Sequence, residues 1–171
     1  MVKSSSHAKW SRKPNVEALF IQAAKQEENG KLRSAFRLYL AAAKAGDTGC
    51  QLNVANFYDA GTGVRRNRVA ALYWYKRAYR RGYSCAASNI GIMWRNENQP
   101  RRALKWFEKA VRLGDDEANL EIAKYYLQSE QNPLKAIGHL EKVCQSKCVT
   151  EAGAVEAARL LKQARKQSAR K

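Results

Sequence analysis

Four cysteines, two histidines and four aspartates are the side chains of this chain best suited to metal binding, nucleophilic attack or proton transfer, and their spacing limits what they can do. Cys50, Cys85, Cys144 and Cys148 lack the paired short spacings of a zinc module, so no metal site is expected. Cys144 and Cys148 stand one helical turn apart, which in a continuous helix leaves their Cβ atoms about 5–6 Å apart, wider than the roughly 3.5–4.5 Å of a disulfide. They bridge only if the helix ends between them; otherwise the cysteines serve as small hydrophobes. His7 falls in a basic N-terminal arm, and His139 occupies a packing position of a helix. Asp47, Asp115 and Asp116 flank helix starts, where a carboxylate caps free N–H groups or opposes the dipole. Gly61-Thr-Gly63 joins two helices and follows no strand, which is the wrong setting for a phosphate loop. No catalytic residue, cofactor or metal is therefore expected, and the chain reads as a non-enzyme.

What remains chemically distinctive is charge. The 171 residues hold 32 Lys and Arg against 15 Asp and Glu, a formal net charge of +17. Such a balance points to a polyanion or an acidic protein as partner. From Ala60 to Asn96 the chain has no acid, while Arg65, Arg66, Arg68, Arg77, Arg80 and Arg81 form a basic band there; Arg159, Lys162, Arg165 and Lys166 form a second block near the C-terminus. Both are candidate polyanion-binding surfaces, for RNA or DNA phosphates above all. Exposed rings would favour nucleic acid by stacking on bases, and Trp10, Tyr73, Tyr79 and Tyr83 are the candidates. A solvated convex face, or attachment of the terminal basic helix to a membrane surface, is the alternative.

These side chains must be held by helices. The residues end in a pattern that repeats at Gly46, Gly82, Gly114 and Lys147, spaced 36, 32 and 33 residues apart, the period of a helix-turn-helix repeat. Eleven positions earlier stand Ala35, Ala71, Ala103 and Ala136; seven earlier, Tyr39, Tyr75, Phe107 and Leu140; four earlier, Ala42, Ala78, Ala110 and Val143. Alanine at one- and two-turn spacing lets helices approach closely, and the large residue between fills the facing groove. Gly46, Gly82 and Gly114 suit the left-handed residue that ends a helix, whereas Lys147 departs from that rule. The pattern predicts nine helices, near 15–28, 31–45, 48–59, 67–81, 84–95, 100–113, 116–128, 132–145 and 150–166. Residues 1–14 read as a disordered basic arm, with four basic and no acidic side chains, and 167–171 as a basic tail. No apolar run approaches the roughly 20 residues of a membrane span, and no secretory leader follows the basic start, so a cytoplasmic location is expected.

Residues 48–83 read TGCQLNVANFYDAGTGVRRNRVAALYWYKRAYRRGY, and the Gly61-Thr-Gly63-Val64 loop followed by Ala71, Trp74, Tyr75 and Ala78 closely resembles the Sel-one-like repeat of the tetratricopeptide (TPR) superfamily. Units 15–47, 84–115 and 116–147 are similar to the plainer tetratricopeptide form, with 148–166 as a capping helix. The resemblance implies an all-α, right-handed α-solenoid of about four repeats, of a kind frequent in bacteria. Its members mostly act as adaptors or scaffolds that hold peptides or other proteins. It also implies a concave face lined by first helices, which here places Leu52, Asn56 and Asp59, then Ser88, Ile92 and Arg95, then Leu120, Lys124 and Leu127 toward a partner. Asn56, Arg95 and Lys124 would hold the backbone or a carboxylate of a bound peptide, and Leu52, Ile92 and Leu120 would make apolar contact. With only four units, an open end at Ala18 to Ala24 or at the terminal helix is free to stack on a second molecule, so the oligomeric state stays open.

Overall fold

The computed structural model describes residues 15–169; the N-terminal arm with His7 and Trp10 lies outside them. The described residues form nine α-helices and no strand. They divide into two compact units, with the boundary between Asn67 and Arg68, and are an all-α helical-repeat solenoid in class.

The first unit holds α1 (Val16–Glu28), α2 (Leu32–Ala45) and α3 (Thr48–Ala60). Asn15 caps α1 by accepting from the Ala18 amide at 3.1 Å, and Asp47 caps α3 by accepting from the Cys50 amide at 2.6 Å. Between them α2 ends at Gly46 with φ +109°. The core is aromatic: Tyr39 lies 5.9 Å from both Phe20 and Phe57, and Phe36 lies 5.1 Å edge-on to Tyr58. Tyr39 also donates to Glu27 at 2.9 Å; burial first, and that carboxylate second, hold its phenol well above the ordinary range. Beyond α3, the Gly61–Asn67 loop turns through two left-handed glycines, φ +77° at Gly61 and +65° at Gly63. The turn is fastened by the Asn67 amide donating to Tyr58 at 2.8 Å and Arg66 Nε donating to the Asp59 carbonyl at 2.8 Å.

The second unit holds α4 (Arg68–Tyr79), α5 (Ser84–Asn96), α6 (Pro100–Arg112), α7 (Ala118–Gln128), α8 (Pro133–Gln145) and α9 (Glu151–Ser168). Each helix packs on the next, and α7 also meets α9. Pro100 and Pro133 occupy first-turn positions, where no backbone donor is lost. The repeat positions are the packing positions in both units: all four alanines at the first register are at most 3% exposed, and Tyr39, Tyr75, Phe107 and Leu140 likewise. At the tightest crossing Gly91 of α5 lies under the Phe107 ring of α6; a methyl there would stand 2.6 Å from the ring carbons. The final helix extends to Ser168, two residues past its predicted end, so Gln167 and Ser168 of the expected basic tail are helical.

Three consecutive acids join the helices of this unit. Asp115 accepts from Ser88 of α5 at 2.5 Å, Asp116 from Ser146 just after α8 at 2.7 Å, and Glu117 from Thr150 at 2.6 Å. Thr150 is itself the cap of α9, accepting from the Gly153 amide at 3.1 Å.

Candidate functional site

Ser88 and Ile92 stand one turn apart on α5, and Leu120 and Lys124 one turn apart on α7. Both pairs open into one cleft of about 350 Å³, which α9 closes through Ala152, Gly153 and Glu156. The first helices of two successive repeats and the terminal helix thus supply its walls, as the small residues Gly91 and Ala123 at the crossings allow. Its floor is apolar, made by Phe107, Ala118 and Leu120. Leu120 is 4% exposed and belongs to the core that includes Ala123 and Leu140, so it reaches the cleft as floor rather than as a projecting side chain.

Sequence reasoning missed the carboxylates of the cleft. Asp115, Glu117, Glu121 and Glu156 all line it. Lys124 is held between two of them, 2.9 Å from Glu156 and 3.2 Å from Glu121. Burial alone would lower the lysine's pKa, but the hydrogen bonds and charges of Glu156 and Glu121 outweigh it and raise it, so Lys124 is an ammonium at neutral pH. Arg95, at the margin, is paired with Glu121 and lines an adjoining pocket of about 250 Å³ with Pro100, Leu104 and Tyr125. The one local signal was Glu121 three residues before Lys124, the spacing of neighbours on a helix face. Of the remaining predicted groove residues, Leu52, Asn56 and Asp59 lie on α3 of the other unit; Leu52 is half-buried, Asn56 exposed and Asp59 paired with Arg66 at 3.9 Å. Leu127 is half-buried against the α7–α9 core.

The basic band is less open than its sequence. Arg68 pairs with Glu97 and lies 4.3 Å over the Trp94 ring, with Arg102 at 4.8 Å over the same ring. Arg77 lies 5.3 Å over Trp74 and bonds the Tyr73 hydroxyl at 3.1 Å. Carboxylates just outside the acid-free interval, Asp59 and Glu97, therefore pair with arginines of the band. In α9 Arg165 pairs with Glu141 at 2.9 Å and Arg159 with Glu156 at 3.9 Å. Arg65, Arg80, Lys162 and Lys166 are exposed, and Arg81 is exposed as well. Tyr73 and Tyr83 are exposed, whereas Tyr79 packs edge-on to Trp106 at 5.3 Å.

Of the four cysteines Cys50 alone takes the buried place of a small hydrophobe, and the exposed Cys85, Cys144 and Cys148 correct that expectation for the other three. Cys50 is buried, and burial followed by the Asp47 hydrogen bond pushes its thiol up to about 12, which leaves no thiolate at neutral pH. Cys144 and Cys148 are free and exposed, with α8 ending at Gln145 between them. The Asn119 amide nitrogen donates to the Asp116 carbonyl at 3.1 Å, which fixes the Asn119 carbonyl as acceptor for His139 Nδ1–H at 2.9 Å. Tyr126 stacks on the ring at 5.8 Å. Burial, then the nearby Lys142, hold this imidazole below its usual range. The fold thus prefers neutral His139, and stability from it is complete above the free-imidazole pKa of about 6.5 and declines as acid takes the pH below that value. A urea midpoint that falls from pH 7.5 toward 5.5, by less in His139→Gln than in the parent, is the expected result. No group of three or more potential metal ligands occurs among the described residues, and no described helix is long and apolar enough to cross a membrane.

Comparison with known proteins places this arrangement. The Sel1 repeat family model matches residues 29–47, 49–83, 95–115 and 116–147, more than half of the chain. A Sel1 repeat protein of Oxalobacter formigenes superposes with a TM-score of 0.64 at 23% identity, over 94% of this chain and 76% of that one. A protective antigen of uropathogenic Escherichia coli with an SLR fold gives 0.68 at 19% identity, over 88% of this chain but only 38% of the antigen. MamA gives 0.55 at 15% identity, over 91% and 80%. No curated protein matches the chain in sequence.

Proposed function

Because this chain belongs to the Sel1 repeat family, whose members are generally protein-interaction scaffolds, we propose that it is a non-catalytic cytoplasmic adaptor that holds a segment of another protein in the cleft of its second unit. The observation that carries this reading is the gathering of Ser88, Ile92, Leu120 and Lys124, from two first helices, around one apolar-floored cavity. Open apolar surface ringed by polar groups is the anatomy of a peptide-docking site, where an apolar centre supplies affinity and the rim sets register. Leu52, Asn56 and Asp59 of α3 extend the proposal to the first unit, as a separate contact.

The test is capture of partners by the tagged full chain from lysate, with nuclease-treated and untreated halves. A discrete protein that survives nuclease and is lost with Ile92→Glu supports the reading. The expected loss is about tenfold or more, as for truncation of a central interface residue, with the unfolding midpoint of the variant measured alongside to separate lost docking from lost fold. Material that disappears with nuclease and ignores Ile92→Glu would overturn the adaptor reading.

A further inference from the structure

We infer that the cleft of the second unit receives a cationic, hydrogen-bond-donating segment, a lysine or arginine beside an apolar residue, and disfavours the acidic segment that the net charge of the chain predicts. This rests on the interaction reading above and adds the polarity of the partner.

The donor and acceptor inventory of the cleft carries the argument. Its two hydroxyls have spent their protons on its own carboxylates, Ser88 on Asp115 and Thr150 on Glu117. Its ammonium, on Lys124, is shared between Glu121 and Glu156. Each carboxylate has about four acceptor positions, and these internal bonds fill only some of them. The wall is accordingly rich in acceptors and nearly out of donors. Arg95 and Arg159 also pair with Glu121 and Glu156 from the margins, whereas the bonds to Asp115 and Glu117 come from neutral hydroxyls; an incoming carboxylate would have to break Lys124 from two partners beside those two charges, and an incoming ammonium or guanidinium meets acceptors already in place.

The shape agrees with the charge. A lysine or arginine stem is a chain of methylenes that lies along apolar surface while its head stays polar, and the cleft offers Ile92, Phe107 and Leu120 for the stem with Glu117 and Glu156 for the head. The surroundings limit how basic the partner is. At a net charge of +17 the rest of the molecule repels a polycation at long range, so the cleft selects one cation within an otherwise neutral, apolar segment.

The probes are two pools of fluorescent dodecapeptides, random in neutral residues and alike except for a central lysine in one and glutamate in the other. Each is retained on immobilised full chain at about 0.3 M salt, where the Debye length is shorter than the roughly 8 Å found at 0.15 M and diffuse attraction of the glutamate pool to the basic exterior is suppressed. The lysine pool is expected to be retained about fivefold over the glutamate pool, and Glu117→Gln with Glu156→Gln to bring the ratio near one. Lys124→Met, which removes the only ammonium lining the cleft, is expected to raise the ratio about threefold, a gain that loss of folding cannot produce. Preference for the glutamate pool, equal retention of the two pools by the parent, or a lysine preference that none of these substitutions moves would overturn the assignment. The adaptor reading stands or falls separately, on whether Ile92→Glu abolishes capture of a cellular protein.

Discussion

Phe107→Ala is expected to cost about 3–5 kcal/mol, within the range for deleting a buried aromatic, and to lower the thermal midpoint by roughly 10 °C. The ring is 2% exposed and sits over Gly91, so its removal leaves a void against a helix that was brought close in order to meet it. The reverse change, Gly91→Ala, places a methyl 2.6–2.9 Å from three ring carbons and should cost about 1–3 kcal/mol as overpacking, despite the gain of roughly 1 kcal/mol that alanine brings to a helix interior. The two losses should not add. In the Phe107→Ala background the methyl enters vacated space, so Gly91→Ala should become neutral or stabilising there. Urea unfolding of the four proteins of this double-mutant cycle checks it, and additive losses would mean that the ring is not what keeps Gly91 small.

Gly63→Ala is expected to be as damaging in the first unit, by about 3 kcal/mol or more, because two costs fall on one position. The first is conformational, since φ is +65°, a region that costs an L-residue about 1–2 kcal/mol. The second is steric: the new Cβ would stand 2.6 and 2.7 Å from the backbone carbon and oxygen of Leu32, at the start of α2, and backbone cannot rotate aside. Two neighbours calibrate the terms. Gly30 has φ +71° with nothing within 4 Å, so Gly30→Ala measures the conformational cost alone, while Gly61→Ala adds milder approaches to Arg66, 3.0 Å to its Cβ and 3.3 Å to its backbone nitrogen. The expected order of loss is Gly30, then Gly61, then Gly63, in urea midpoints. Equal losses at all three would show that the Leu32 contact relaxes freely.

The sequence disclosed what depends on residue size at fixed spacing. Alanine, then an aromatic or leucine, then alanine or valine, recurring about every 33 residues, located the helix crossings, and those positions are buried in both units. The Gly-Thr-Gly-Val loop marked the joint between two helices, though not that both glycines are left-handed or that the second lies against Leu32. The candidate cleft was half legible. The concave face that the family resemblance implies put Ser88 with Ile92, and Leu120 with Lys124, toward a partner, and all four line the cleft. What spacing alone did not show is which carboxylate folds back on which donor, because those ties join residues 26 to 33 positions apart: Arg95 with Glu121, Ser88 with Asp115, Thr150 with Glu117. A net charge is a sum and carries no address, so +17 said nothing of the cleft wall where Asp115, Glu117, Glu121 and Glu156 collect.

Asp115, Asp116 and Glu117 reach three different segments from three successive residues. A single insertion or deletion within that run would turn α7 by about 100° relative to its neighbours and misalign all three ties together. The run therefore acts as an indexing key that sets the rotational phase of α7 against α5, α8 and α9. The seven-residue turn 61–67 is held in another way, by the Asn67 and Arg66 hydrogen bonds and by Gly63 against the Leu32 backbone. In an array grown by copying one unit, a joint of this kind is where a change of length costs several contacts at once.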